Sequence, residues 1–134
     1  MANKKIAIGT AQFGLNYGVA NDMGKTSFSE IEQILALAQR IGIHTLDTAI
    51  AYGDSEANLG AAQVKAFQVI TKLPPLPADC GDVGSWIRTQ IEGSLGRLKV
   101  DRIEAVLLHR SSDIIGPQAK AYQAGLLDLK NTGL

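Results

Sequence analysis

Short apolar runs alternate along the chain with longer stretches in which apolar residues have helical spacing. The short runs are rich in Ile, Val and Leu, which is typical of buried strands, and they cover residues 5–10, 43–49, 67–72 and 103–109. After each run, apolar residues recur every three or four positions, which predicts amphipathic helices. Strand–helix repeats with short connections predict parallel strands joined by right-handed crossovers.

Residues that favour helix ends mark the limits of the predicted helices. The starts are marked by the capping-box pair Ser27 and Glu30, by Asp82 and by Pro117, and the ends by Gly42 and Gly133. A shorter helix is predicted over 55–62, and loops over 11–26 and 73–82. The residues predicted to face the core are Ile31, Ile34, Leu35, Ala38, Ile41, Trp86, Ile87, Gln90, Ile91, Ser94, Leu95, Leu98, Tyr122, Leu126 and Leu129. This pattern fits either an open doubly wound sheet or part of an eight-stranded barrel.

The composition is that of one folded domain over residues 1–134, with 46% hydrophobic residues. The 13 basic and 13 acidic residues balance, so charge gives no reason to expect nucleic acid or an anionic membrane as a partner. The single cysteine, Cys80, excludes an internal disulfide and favours a cytoplasmic location. No apolar run is long enough for a membrane helix or a signal peptide.

Ionisable residues stand at the carboxyl ends of three consecutive predicted strands. They are Asp47, Lys72 and His109, and Tyr52 follows on the loop that leaves the second strand. In parallel α/β folds this edge of the sheet is where ligands bind. We therefore expect the four side chains to lie close together.

Each of these residues also has an ordinary structural explanation. Asp47 could cap a turn, Lys72 could be solvated, and His109 and Tyr52 could be structural or core residues. As a set they suit acid catalysis, because the charge of Lys72 would stabilise the phenolate that Tyr52 leaves on losing a proton. Asp47 would hold Lys72, and His109 could orient a substrate oxygen or relay a proton. The reduction of a carbonyl by hydride needs such a proton.

Several motifs together resemble the aldo-keto reductase family. They are DTAIAYGDSE with Asp47 and Tyr52, ITK with Lys72, LLH with His109, GTAQFGLNYG and LGRLKVDRIEAVLLHR. GTAQFGLNYGVAN also resembles a bacterial subgroup associated with surface-polysaccharide gene clusters. The resemblance implies an enzyme that reduces aldehydes or ketones with NADPH or NADH. It further implies that Tyr52 donates the proton with help from Lys72, that Asp47 holds Lys72, and that His109 orients the carbonyl.

The length of the chain departs from the family pattern. A complete (β/α)8 barrel takes about 250 residues, whereas this sequence has 134. The predicted fold is therefore α/β, the (β/α)4 amino-terminal half of a TIM barrel with parallel strands. The resemblance implies that most NAD(P)H contacts belong to the other half. No cofactor-binding residue is predicted here, since neither GTAQFG nor GSLGRLK is a dinucleotide fingerprint.

A half barrel would leave its first and fourth strands unpaired at the edges. The inward side chains of Thr45, Ile70, Ala105 and Leu107 would also lack an opposite wall. We expect the chain to pair as a homodimer, with each fourth strand against the partner's first, because a two-fold axis can close such an assembly. A complementary carboxyl-terminal half is the other partner that would complete the barrel.

Three functions remain open at this point. The first is an NAD(P)H-dependent carbonyl reductase that acts together with a complementary half. The second is a catalytically inactive, truncated half barrel that self-associates or serves as an assembly module. The third is an unrelated open α/β ligand-binding domain, which leaves the arrangement of Asp47, Tyr52, Lys72 and His109 unexplained.

Overall fold

Four parallel strands form one sheet in the computed structural model, which describes residues 5–133. The strands lie in chain order and are β1 (Ala7–Gly9), β2 (Thr45–Asp47), β3 (Gln68–Leu73) and β4 (Ala105–Leu108). The helices are α1 (Ala11–Gly14), α2 (Phe28–Arg40), α3 (Ser55–Ala61), α4 (Val83–Leu98) and α5 (Ala119–Thr132), with 3-10 turns at Val64–Ala66 and Ser111–Ile114. The predicted (β/α)4 half barrel with parallel strands is confirmed.

The two faces of the sheet have different surroundings. On one face Leu46, Val69 and Leu73 are at most 2% exposed, because the helices pack against them. On the other face Leu107 is 43% exposed, and Thr45, Ile70 and Ala105 are half-buried. This second face, called the open face below, corresponds to the interior of a complete barrel.

The helix starts follow from side-chain caps. The Ser27 hydroxyl accepts a hydrogen bond from the Glu30 backbone, and the Glu30 carboxylate accepts one from the Ser27 backbone at 3.0 Å. The hydrogen bond from the Ser27 side chain lowers the pKa of Glu30 below its ordinary value. At α4 the Asp82 carboxylate accepts from the Ser85 backbone at 3.0 Å, which likewise lowers the pKa of Asp82.

The helix ends match the two predicted glycines. Gly42 and Gly133 adopt φ angles of 80° and 77° after α2 and α5. This left-handed conformation is the one that glycine tolerates best.

Some details of the sequence prediction were wrong. Residues 11–14 form a helical turn and not a loop. Pro117 lies before α5, whose cap is Gln118, because the backbone first turns from Gly116 to Ala119. Ile34 and Ile41 are 37% and 39% exposed, because α2 is the first long helix of the layer in the described chain and packs beside α3 on one side. β1, β2 and β4 are also shorter than predicted, whereas β3 has the predicted length and lies one residue further along the chain. No helix within 5–133 is both long and apolar enough to cross a membrane.

Candidate active site

The strand register places the predicted site residues at one edge of the sheet. Asp47 is the last residue of β2, and Lys72 lies one residue before the end of β3. His109 directly follows β4, where its backbone N–H donates to the Leu73 carbonyl at 3.1 Å. Tyr52 lies on the turn between β2 and α3. All four therefore lie at the carboxyl ends of the strands, as predicted.

Lys72 is held by two oxygens beside the phenol ring. Its ammonium group forms a close ion pair with Asp47 and donates to the Thr48 carbonyl at 2.9 Å. The Lys72 side chain is 16% exposed, which leaves its charge only partly screened by water. The ammonium nitrogen lies 5.0 Å from the centroid of the Tyr52 ring.

The rings of Tyr52 and His109 are also in contact. Their centroids are 5.9 Å apart and their planes meet at 82°, an edge-to-face arrangement. The structure thus brings together Asp47, Lys72, Tyr52 and His109 in one connected group. The group lies on the open face, where a small molecule can approach it.

A tight turn packed against α1 carries Tyr52. The Tyr52 N–H donates to the Ala49 carbonyl, and the Ser55 N–H donates to the Tyr52 carbonyl, both at 3.0 Å. Gly53 has a φ of 54°, a left-handed conformation that glycine adopts at little cost, and so allows the chain to turn after Tyr52. At Gly14 an added Cβ would lie 1.8 Å from the Tyr52 carbonyl oxygen. Only glycine at position 14 lets the two backbones approach this closely.

A buried group of hydroxyls connects the start of α3 to the ends of β1 and β2 through hydrogen bonds. The Ser55 hydroxyl donates to the Thr10 carbonyl at 2.9 Å and lies 3.1 Å from the Thr48 hydroxyl. The Thr10 hydroxyl in turn donates to the Asp47 carbonyl at 3.1 Å. Sequence reasoning missed this group. Its only sequence signal is that Thr10 and Thr48 directly follow strands.

The cationic side chains on the loops and strand ends of this edge form ion pairs with carboxylates. Besides Lys72, they are Lys25, which is 3.1 Å from Asp54, and Arg110, which is 2.7 Å from Asp113. Within the described chain, no group of three or more His, Cys, Asp or Glu residues is placed to hold a metal ion. The site therefore offers proton donors and acceptors, with its positive charges already paired.

The sequence model of the aldo/keto reductase family matches residues 5–131. The chain belongs to the aldo-keto reductase family. A curated aldo-keto reductase from Mycobacterium ulcerans is 30% identical over 122 residues, which are 89% of this chain and 41% of the relative. A 6-dehydroglucose reductase from Novosphingobium aromaticivorans is 33% identical over 106 residues, which are 66% of this chain and 34% of the relative.

A solved aldo-keto reductase structure from Pseudomonas aeruginosa has the same fold over this region. It superposes with a TM-score of 0.77 and 34% sequence identity, covering 96% of this chain and 51% of that one. The chain thus spans about half the length, or less, of the aldo-keto reductases it matches. Its four strands form half of the eight-stranded barrel.

Proposed function

We propose that this chain supplies the proton-donating half of a carbonyl reductase active site. The observation that carries this proposal is the contact of Tyr52 with both the Lys72 ammonium and the His109 ring on the open face. Family membership supports the reaction class, because aldo-keto reductases reduce carbonyl groups. The substrate is an aldehyde or a ketone.

Each of the four side chains has a distinct role in this proposal. When NAD(P)H is bound, it supplies the hydride that the carbonyl carbon accepts. The carbonyl oxygen then takes the hydroxyl proton of Tyr52, which completes the alcohol. Lys72 stabilises the phenolate that remains, and Asp47 holds Lys72 in place. His109, whose ring contacts that of Tyr52, orients the carbonyl oxygen.

The described residues fit the chemistry at the carbonyl group of the substrate. They do not fit the binding of the cofactor phosphates. Phosphate binding calls for cations or backbone N–H groups that are free to contact it. Lys25, Lys72 and Arg110 are each paired with a carboxylate. We therefore assign the phosphate contacts to a complementary barrel half.

A second proposal concerns the chain on its own, which we expect to self-associate. β1 and β4 are unpaired at the edges of the sheet among the described residues, and Leu107 on the open face is 43% exposed. Two copies related by a two-fold axis would pair both sets of edges and bury both open faces. Light scattering should give the mass of two chains. A mass of one chain at micromolar concentration, with no change on Leu107→Asp, would contradict this proposal.

The reductase proposal is tested in a completed barrel. The full chain is fused to the carboxyl-terminal half of the P. aeruginosa relative, and NADPH oxidation is followed with aromatic and sugar aldehydes. The name of the N. aromaticivorans relative is the reason for including sugars. Tyr52→Phe should lower the rate about 100-fold or more, since general-acid catalysis contributes about 10²–10⁴-fold. Tyr17→Phe, at a loop residue 60% exposed, is the matched control and should leave the rate unchanged.

A fusion that binds NADPH but turns over no carbonyl would favour the inactive assembly module instead. Equal rates for the fusion with and without Tyr52→Phe would assign the proton to another donor. Either result would overturn the proposal, because NADPH binding shows separately that the barrel has assembled.

A further inference from the structure

Tyr52 and Lys72 belong to different structural elements, so the sheet register does not fix the distance between them. Lys72 is part of β3, whose pairing with β2 and β4 sets its position. Tyr52 lies on a turn outside the sheet. Proton donation needs these two side chains in one geometry, and a misplacement of about 1 Å can reduce a rate about 100-fold. Backbone hydrogen bonds from Thr48 and Ile50 hold the segment before Tyr52 to β3. A contact that holds α3 to β3 would fix the turn from its other side.

Glu56 makes such a contact from the first turn of α3. The residue is 2% exposed, and its carboxylate accepts a hydrogen bond from the Thr71 hydroxyl at 2.7 Å. The same carboxylate accepts from the Ser94 hydroxyl at 2.9 Å and from the Arg97 guanidinium at 2.8 Å. One buried side chain thus joins α3 to both β3 and α4.

The hydrogen bond between Glu56 and Thr71 adds a connection to β3 on the carboxyl-terminal side of Tyr52. Glu56 follows Tyr52 by four residues, and Thr71 directly precedes Lys72. Adjacent strand residues point to opposite faces of a sheet. Thr71 therefore contacts Glu56 on the helix side, while Lys72 contacts Asp47 on the open face.

The packing of α3 against α4 brings the other two partners within reach. An added Cβ at Gly60 would lie 2.0 Å from the Arg97 carbonyl oxygen, so these helices are in backbone contact. Apolar side chains could fill the space between α3 and α4 at a lower free-energy cost than Glu56, because a buried charge must be desolvated and fully paired. A carboxylate with several fixed donors, in contrast, holds one specific geometry.

We propose that Glu56 is a positioning residue that fixes Tyr52 relative to Lys72 and His109. This inference rests on the proposed role of Tyr52 as proton donor. In the completed barrel, Glu56→Gln should lower kcat about 10- to 100-fold, with KM within about twofold of the parent value. A purely structural residue would lower Tm and leave the geometry of the folded site unchanged.

The direct test needs no cofactor and no activity. Glu56→Gln keeps the volume of the side chain but turns an N–H donor toward the donors that now surround the carboxylate. The chain has 3 Tyr and 2 His, so NMR can resolve the cross-relaxation between the Tyr52 and His109 rings. We expect Glu56→Gln to weaken this cross-peak at least about twofold, as ring separations increase. Glu92→Gln, the same change at an exposed α4 residue, should leave it unchanged.

An unchanged Tyr52–His109 cross-peak in folded Glu56→Gln protein would overturn the inference. If that variant does not fold, Thr71→Val removes only the donor on β3 and keeps the shape of the side chain. The cross-peak should weaken here too, and an unchanged intensity would again contradict the proposal. Failure of the reductase proposal is a separate result, because it appears in the turnover of Tyr52→Phe and not in this spectrum.

Discussion

Gly14→Ala should destabilise the chain by forcing the turn that carries Tyr52 away from α1. The new Cβ would lie 1.8 Å from the Tyr52 carbonyl oxygen and 2.4 Å from the Ser55 nitrogen. Ordinary contacts of a Cβ begin at 3.4 Å, so the turn must move by about 1.6 Å, the difference between 3.4 and 1.8 Å. Both contacts are with backbone atoms, which cannot rotate out of the way.

Two contributions make up the expected loss of stability. Overpacking of this kind costs about 1–3 kcal/mol. A shift of the turn also breaks the buried Ser55 hydrogen bonds, which adds about 1–3 kcal/mol. We expect a decrease of about 3 kcal/mol in the free energy of unfolding, which corresponds to roughly 10 °C in Tm for a domain of this size.

Urea unfolding followed by the fluorescence of Trp86, the 1 tryptophan of the chain, measures this loss. The matched control is Gly96→Ala in α4, where an added Cβ meets nothing within 4 Å. Because alanine favours a helix interior over glycine, Gly96→Ala should stabilise by about 0.5–1 kcal/mol. A Gly14→Ala variant as stable as the parent would refute the close packing of the turn against α1.

Three further predictions concern buried and charged groups. Lys72→Met should lower the free energy of unfolding, measured in urea, by only about 1 kcal/mol. Asp47 is 40% exposed, so water replaces much of the ion pair. A loss above about 3 kcal/mol would contradict this prediction. Burial and the charge of Asp113 raise the pKa of Tyr122 from 10.0 to about 12, so its contribution to stability is complete below pH 10 and is lost as pH rises toward about 12. Tyr122→Phe should therefore reduce the decrease in Tm that occurs as pH rises above 10. An identical decrease in both proteins would contradict the raised pKa of Tyr122. Ser55→Ala should cost about 1–3 kcal/mol because buried hydroxyls lose a partner, and a change below about 0.5 kcal/mol would show that the hydroxyl group contributes little.

The sequence predicted those features that depend on local pattern. The strand positions, the Ser27–Glu30 capping box and the cap at Asp82 follow from residues a few positions apart. The placement of Asp47, Lys72 and His109 at one edge follows from strand order and strand ends. Their roles in catalysis stay a prediction, which the completed barrel tests.

The missed features depend on contacts between distant parts of the chain. Glu56 meets Ser94 across 38 positions, and Ser55 meets Thr10 across 45. No local pattern identifies such partners. One signal was available, because Ser94 is a polar residue on the apolar face of α4, which indicates a polar group opposite it. The approach of Gly14 to the turn likewise involves two segments that sequence spacing alone does not bring together.

Under the proposed function, this chain holds the carbonyl-reducing side chains and not the phosphate contacts of the cofactor. The decisive experiment is the titration of the full chain and of the completed barrel with NADPH, followed by nicotinamide fluorescence. We expect saturable binding by the completed barrel, and none by the chain alone up to millimolar cofactor. Saturable binding of NADPH by the chain alone at micromolar concentration would contradict the claim.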